Sequence, residues 1–206
     1  MTMPKSPEPT AVGAVSSAIA VHAASRRWLS FFRYGASEKN SLMGHLGDPS
    51  YRNFYFFGHG SPYAIGGIGN GTIITHFELE RLLNNFFITA KPANYHPYRF
   101  VFIDGCLAGK ANFCEAFGIP AQPLNNAFFA DAGVRSRAFI GVKTEASFNP
   151  AQWQQRANML ANFWNDWVTQ NLSLQTCVNN AVNFGTGALD SSAVIYGAVD
   201  LTKDSP

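Results

Sequence analysis

Two short runs of almost unbroken apolar residues, "NFYFF" at 53–57 and "FVFID" at 100–104, each stop on a glycine. Runs of this length are too short for an ordinary helix. They are also too apolar for a strand with one face in water, so both read as strands buried on both faces. "RAFIGV" (137–142) and "AVIYGAV" (193–199) predict two more strands. Between them lie helical patterns. Thr75 followed by Glu78 makes a capping box that opens an amphipathic helix over 77–88. Shorter helices are expected in the 110s and at 125–132. Residues 151–170 place Trp153, Ala157, Leu160, Trp164, Trp167 and Val168 on one helical face, and 174–182 predict a further helix. Strands alternating with helices define an α/β fold with a mainly parallel sheet.

The organisation ahead of the first strand is less regular. Residues 1–12 are Pro-rich and expected to be disordered. Val15, Ile19, Ala23 and Phe32 predict a helix over 13–33, and 35–50 read as a polar loop, so 13–50 form an N-terminal helix and loop. The stretch 11–24 is rich in small residues but lacks a basic leader, and it reads as a surface helix rather than a cleaved signal. No convincing strand precedes residue 52. A glycine-rich loop is expected over "SPYAIGGIGNGTI" (61–73), richest in glycine at 66–71.

Charge narrows the function. Only 14% of the 206 residues are charged, the net charge is +2, and no basic run exists, so neither nucleic acid nor a membrane surface is an expected partner. Three cysteines without CxxC spacing fit reduced thiols in a cytoplasmic chain. Cys114 and Cys177 sit among apolar neighbours and are expected in the core. HExxH and CxxC…H patterns are absent, and His22, His45, His76 and His96 have no ligand spacing, so no metal and no cofactor are expected.

The chemistry concentrates where two strands end. In a parallel sheet, sites lie beyond the carboxyl ends of the strands. The first run ends in Gly58, His59 and Gly60, with the hydroxyl of Ser61 behind them. The second ends in Asp104, Gly105 and Cys106. A nucleophilic cysteine needs a base within hydrogen-bond reach and N–H donors for the oxyanion. His59 is the candidate base, Cys106 the nucleophile, and the N–H groups of Gly60 and Cys106 the candidate oxyanion donors. A helix starting after Cys106 would also lower the thiol pKa. Chain order excludes an α/β-hydrolase, whose histidine follows the nucleophile; all five histidines here precede Cys106.

His first and Cys about 50 residues later is the arrangement of caspases, and here the separation is 106 − 59 = 47. "YFFGHGS" followed by "VFIDGCLAG" resembles the paired signature of caspase-like cysteine peptidases, most closely the metacaspase, bacterial caspase-like and CHAT-type branch. The resemblance implies a three-layer α/β/α sandwich over 51–206, a His59–Cys106 dyad and a peptide or protein substrate. It implies that Asp104 lines a pocket for a basic residue before the scissile bond, and Ser61 falls on the substrate side. The family opens with a strand and helix before the histidine motif. That strand would be missing here, replaced by the 13–33 helix, or supplied by a partner chain or domain. A catalytically silent scaffold exposing Phe128, Phe129 and Phe148, and a Cys-dependent acyltransferase or amidase, are the competing expectations.

Overall fold

The computed structural model describes residues 36–66, 73–85, 98–110, 113–144, 150–183 and 193–205. They fall into two compact units. The larger comprises 33–145, 193–201 and 205–206, and the smaller 1–32, 146–192 and 202–204. The expected helix over 13–33, residues 67–72 of the glycine-rich loop, His22, His96 and Phe148 lie outside the described residues.

In the larger unit, helix α1 (Ala36–Leu46) is followed by strand β1 (Asn53–Phe57). Helix α1 corrects the polar loop expected there. Leu42, Met43 and Leu46 share one face of it and pack on the core, and a mostly polar sequence hid that narrow stripe. Next come β2 (His59–Gly60), β3 (Ala64–Gly66) and β4 (Ile73–Thr75), then helix α2 (His76–Leu83) and β5 (Phe100–Asp104). After a 3-10 turn at Ala108–Lys110 follow helix α3 (Phe113–Ala116), β6 (Pro123–Leu124), helix α4 (Asn126–Asp131) and β7 (Ala138–Val142). The last strand of the chain, β8 (Ala193–Ala198), closes this unit's sheet.

The main sheet has the order β1-β5-β7-β8-β6. β1, β5 and β7 run parallel, β8 is antiparallel to β7, and β6 is parallel to β8. This is an α/β fold with a mixed, mainly parallel sheet of five strands. β5 and β7 are buried at every residue, which is why they read as apolar runs broken only by Asp104 at the end of β5. β1 is an edge of the sheet among the described strands, and all five of its residues are half-buried.

Beneath one face of the sheet, Phe54, Phe56, Val101, Ile103 and Phe139 pack with Leu79 and Leu83 of α2 and with Phe113, Cys114 and Phe117. Helix α2 starts where the sequence predicts. The Thr75 hydroxyl accepts from the Glu78 N–H and the Glu78 carboxylate accepts from the Thr75 N–H. A cap of this kind contributes about 1 kcal/mol. Lys39 ties α1 to this end with a 2.7 Å bond to Glu78, and the Lys39 donor, then Thr75, hold the Glu78 carboxyl below its ordinary value. Of the aromatics expected at a scaffold surface, Phe129 is buried (2% exposed) and Phe128 is 47% exposed.

The smaller unit contains helix α5 (Pro150–Trp164), a π-helical turn (Asn165–Thr169) and helix α6 (Leu174–Asn183). Ala157, Leu160, Trp164, Trp167 and Val168 are buried as their spacing predicts. The helix is not continuous to 170, however. At its end the Gln170 N–H reaches the Asn165 carbonyl, and the wider turn seats the Trp167 ring edge-on to Trp164 at 6.1 Å. Asn180 of α6 donates to Asp166 in that turn at 2.8 Å.

Candidate active site

Parallel pairing of β1 with β5 in the register Asn53↔Phe100 to Phe57↔Asp104 brings both loaded loops out at the same end of the sheet. The ladder runs one residue further, with the Gly58 N–H donating to the Asp104 carbonyl at 3.3 Å. Beyond it the two backbones touch. A Cβ built on Gly60 would lie 2.6 Å from the Cys106 carbonyl oxygen and 2.9 Å from the Cys106 nitrogen. From the other side, a Cβ on Gly105 would lie 3.3 Å from the Gly60 Cα. Only glycine fits at Gly60, and the sequence spends it on bringing the residue after His59 against the peptide of Cys106.

His59 and Gly60 form the first strand of a second sheet, β2-β3-β4, in which His59 pairs with Gly66 and Gly60 with Ile65. This sheet corrects the glycine-rich loop expected over 61–73, because glycine and proline obscure strands only two or three residues long. The next residue pair along β2 and β3 is hydrogen-bonded, the Ser61 N–H donating to the Ala64 carbonyl at 2.9 Å. Bonded and non-bonded pairs alternate in an antiparallel ladder, so Gly60 and Ile65 form a non-bonded pair. The Gly60 N–H therefore points away from β3. The Ser61 hydroxyl accepts from the N–H groups of Tyr63 (3.2 Å) and Ala64 (3.0 Å), so it builds the turn that Pro62 pre-sets. His59 is half-buried, with its Nε2 shielded from solvent.

Cys106 is half-buried and not in a disulfide. It sits in a tight turn closed by the Ala108 N–H on the Gly105 carbonyl at 3.3 Å. Leu107 takes a left-handed φ of 59°, which costs a residue with a side chain about 1–2 kcal/mol. Strain of this kind persists where surrounding contacts hold it. Here the Leu107 N–H donates to the Thr144 carbonyl at 3.1 Å. Gly109 lies so close to Gly141 of β7 that a Cβ on Gly141 would come within 2.8 Å of the Gly109 Cα. The Tyr196 hydroxyl adds a 3.3 Å bond to the Gly109 carbonyl. One structural expectation needs correction. A 3-10 turn, not an α-helix, follows Cys106, and the next described helix is the four-residue α3, so no helix dipole starts at the thiol.

Asp104 is 1% exposed, and its carboxylate accepts from the Tyr55 hydroxyl at 3.3 Å. Neither this cross-strand bond, nor the Gly109–Gly141 contact, nor the Leu107 conformation was found from the sequence. "GCLAG" was the only signal, its second glycine marking a close approach. The remaining described histidines lie elsewhere. His45 stands edge-on to Tyr51, and His76 starts α2 with its ring buried. Among the described residues no group of three or more His, Cys, Asp or Glu side chains could hold a metal ion, and no helix is long and apolar enough to cross a membrane.

The other two thiols differ from Cys106. Burial, then the Glu115 charge, pushes Cys114 up to about 12; burial, then Asp166, does the same for Cys177. Both folded values lie above the ordinary thiol value. Between about pH 9 and 12 the unfolded chain has therefore lost protons that the folded chain keeps. Stability falls as pH rises through that window, by up to about 1.4 kcal/mol per pH unit for each thiol. The urea midpoint is expected to drop between about pH 8 and pH 10.5, and to drop less in Cys114→Ala. An equal drop in both proteins would show that Cys114 is not the group responsible.

Comparison with known proteins gives no match: no family model fits the chain, and no curated protein or solved structure matches it.

Proposed function

We propose that the chain is a cysteine peptidase of caspase-like, three-layer α/β/α fold, with His59 and Cys106 as its dyad. The observation that carries this reading is the backbone contact of Gly60 with the Gly105–Cys106 peptide, at the shared end of two paired parallel strands. His59 takes the Cys106 proton, and the thiolate attacks the scissile carbonyl carbon. The negative charge that develops on the carbonyl oxygen is held by the N–H groups of Gly60 and Cys106. As the C–N bond breaks, His59 returns the proton to the leaving amine. Water, deprotonated by His59, then attacks the thioester and releases the thiol and the carboxylic acid.

Substrates with Arg or Lys before the scissile bond fit this reading. Asp104 places a buried carboxylate two residues before the nucleophile, where a cation offsets the cost of taking that charge out of water. Ser61 contributes through the shape of the turn its hydroxyl holds.

The test is covalent labelling. A peptidyl chloromethylketone carrying Arg is expected to alkylate Cys106 and to leave the buried Cys114 and Cys177 unmodified. His59→Ala should slow the reaction by about a hundredfold or more. Asp104→Asn should abolish the advantage of the Arg probe over the same probe carrying Leu. Labelling of Cys114 as fast as Cys106 would sink the dyad, and an unchanged Arg advantage would sink the role of Asp104.

A further inference from the structure

Two of the most exposed large apolar side chains among the described residues lie on the turn between β2, which carries His59, and β3, and on helix α2, which follows β4 of the same small sheet. Tyr63 is 67% exposed and Phe77 is 70% exposed. Both rings stand against His76, with centroids 6.0 Å and 3.9 Å from it. His76 itself is anchored: its ring meets Phe113 edge-on at 6.1 Å, its N–H donates to the Tyr63 carbonyl at 3.0 Å, and its Nδ1 lies 3.3 Å from the same oxygen. A buried ring thus joins two exposed ones, and the backbone of Tyr63 is tied to the start of α2.

We infer that Tyr63 and Phe77 form a fixed aromatic platform that takes an apolar side chain of the peptide substrate, a few residues away from the scissile bond. The inference rests on the peptidase reading and adds a second recognition element to it. Reach supports this occupant. Tyr63 is three residues beyond Gly60, so their Cα atoms are at most about 11 Å apart, and an extended peptide covers that in about three residues. Area supports it too. Two aromatic rings offer about 300–500 Å² even when wholly covered. A stable protein partner needs about 800 Å² on each side. Two rings therefore suit one side chain. Because the platform is held in place before binding, little side-chain freedom is lost when it is covered.

The experiment compares matched fluorogenic peptides with Phe or Ser placed about three to five residues from the cleaved bond. Wild-type protein is expected to favour the Phe peptide by about tenfold in kcat/KM, the low end of what one apolar contact contributes to discrimination. The double variant Tyr63→Ser, Phe77→Ser should lose that preference while keeping its thermal midpoint, since both side chains are exposed. Equal cleavage of the two peptides by wild type, or a preference that survives in the variant, overturns the platform. So does a variant whose preference persists while its sedimentation changes from dimer to monomer, because the surface then joins copies of the chain. If wild type cleaves no peptide at all, the peptidase reading falls and the platform with it. Cleavage without preference strikes the platform alone.

Discussion

Cys106→Ala and His59→Ala are each expected to lower kcat/KM for peptide hydrolysis by about ten thousandfold, and the double variant to be no slower than Cys106→Ala alone. A thiol and its base act as one unit. Without the base, little thiolate forms and the leaving amine receives no proton; without the thiol, the base has nothing to activate. Losses within such a unit do not add, because the first substitution already removes the pathway the second would impair. The residual rate comes from whatever the oxyanion donors and substrate binding still contribute. Both residues are half-buried, so truncating either leaves the sheet and its core intact. Steady-state kinetics on the two single variants and the double variant measure the coupling directly. Multiplicative losses would mean that the two side chains act independently, and a loss below about tenfold in His59→Ala would place the base elsewhere.

The parts of this fold that the sequence made legible are those where one physical demand dominates. β5 and β7 are covered on both faces, so every residue but Asp104, at the very end of β5, is apolar or glycine and the strands can be read directly. Helix α2 announced itself because Thr75 and Glu78 satisfy each other's backbone groups. Where demands are mixed, no such pattern shows. Helix α1 buries a stripe that includes Leu42 and Leu46 amid polar residues and a mid-helix glycine, and it looked like a loop. The β2-β3-β4 sheet is built from two- and three-residue strands around Pro62 and glycines, where periodicity has no length in which to show.

The meeting of the two candidate loops was legible for a different reason. Parallel neighbours share an end, so two loaded strand termini in an α/β chain converge without any long-range signal in the residues. What lay beyond reach was the local backbone. The left-handed Leu107 is a non-glycine residue at a position glycine would favour, and the Tyr55–Asp104 bond joins strands 49 residues apart. Neither leaves a pattern in one sequence.

Gly60→Ala is expected to lower kcat/KM by about a hundredfold or more and to destabilise the fold by about 1–3 kcal/mol. The new Cβ would stand 2.6 Å from the Cys106 carbonyl oxygen, 2.8 Å from the Gly105 carbonyl carbon and 2.9 Å from the Cys106 nitrogen. All three are backbone atoms, so no side chain can rotate out of the way. Relief requires β2 and the end of β5 to separate, and that separation moves the Gly60 and Cys106 N–H groups relative to each other. Catalysis depends on the placement of such donors to within a fraction of an ångström, whereas stability registers only the lost packing. Gly133→Ala separates the two effects. Gly133 follows α4 with a φ of +66° and open space where a Cβ would go, so alanine there strains the backbone by about 1 kcal/mol without touching Cys106 or His59. Measured side by side, both variants should lose stability in urea, and only Gly60→Ala should lose its rate. If Gly60→Ala keeps full activity, or if Gly133→Ala loses as much, the close approach of Gly60 to Cys106 is packing alone and the oxyanion site must be sought among other N–H groups.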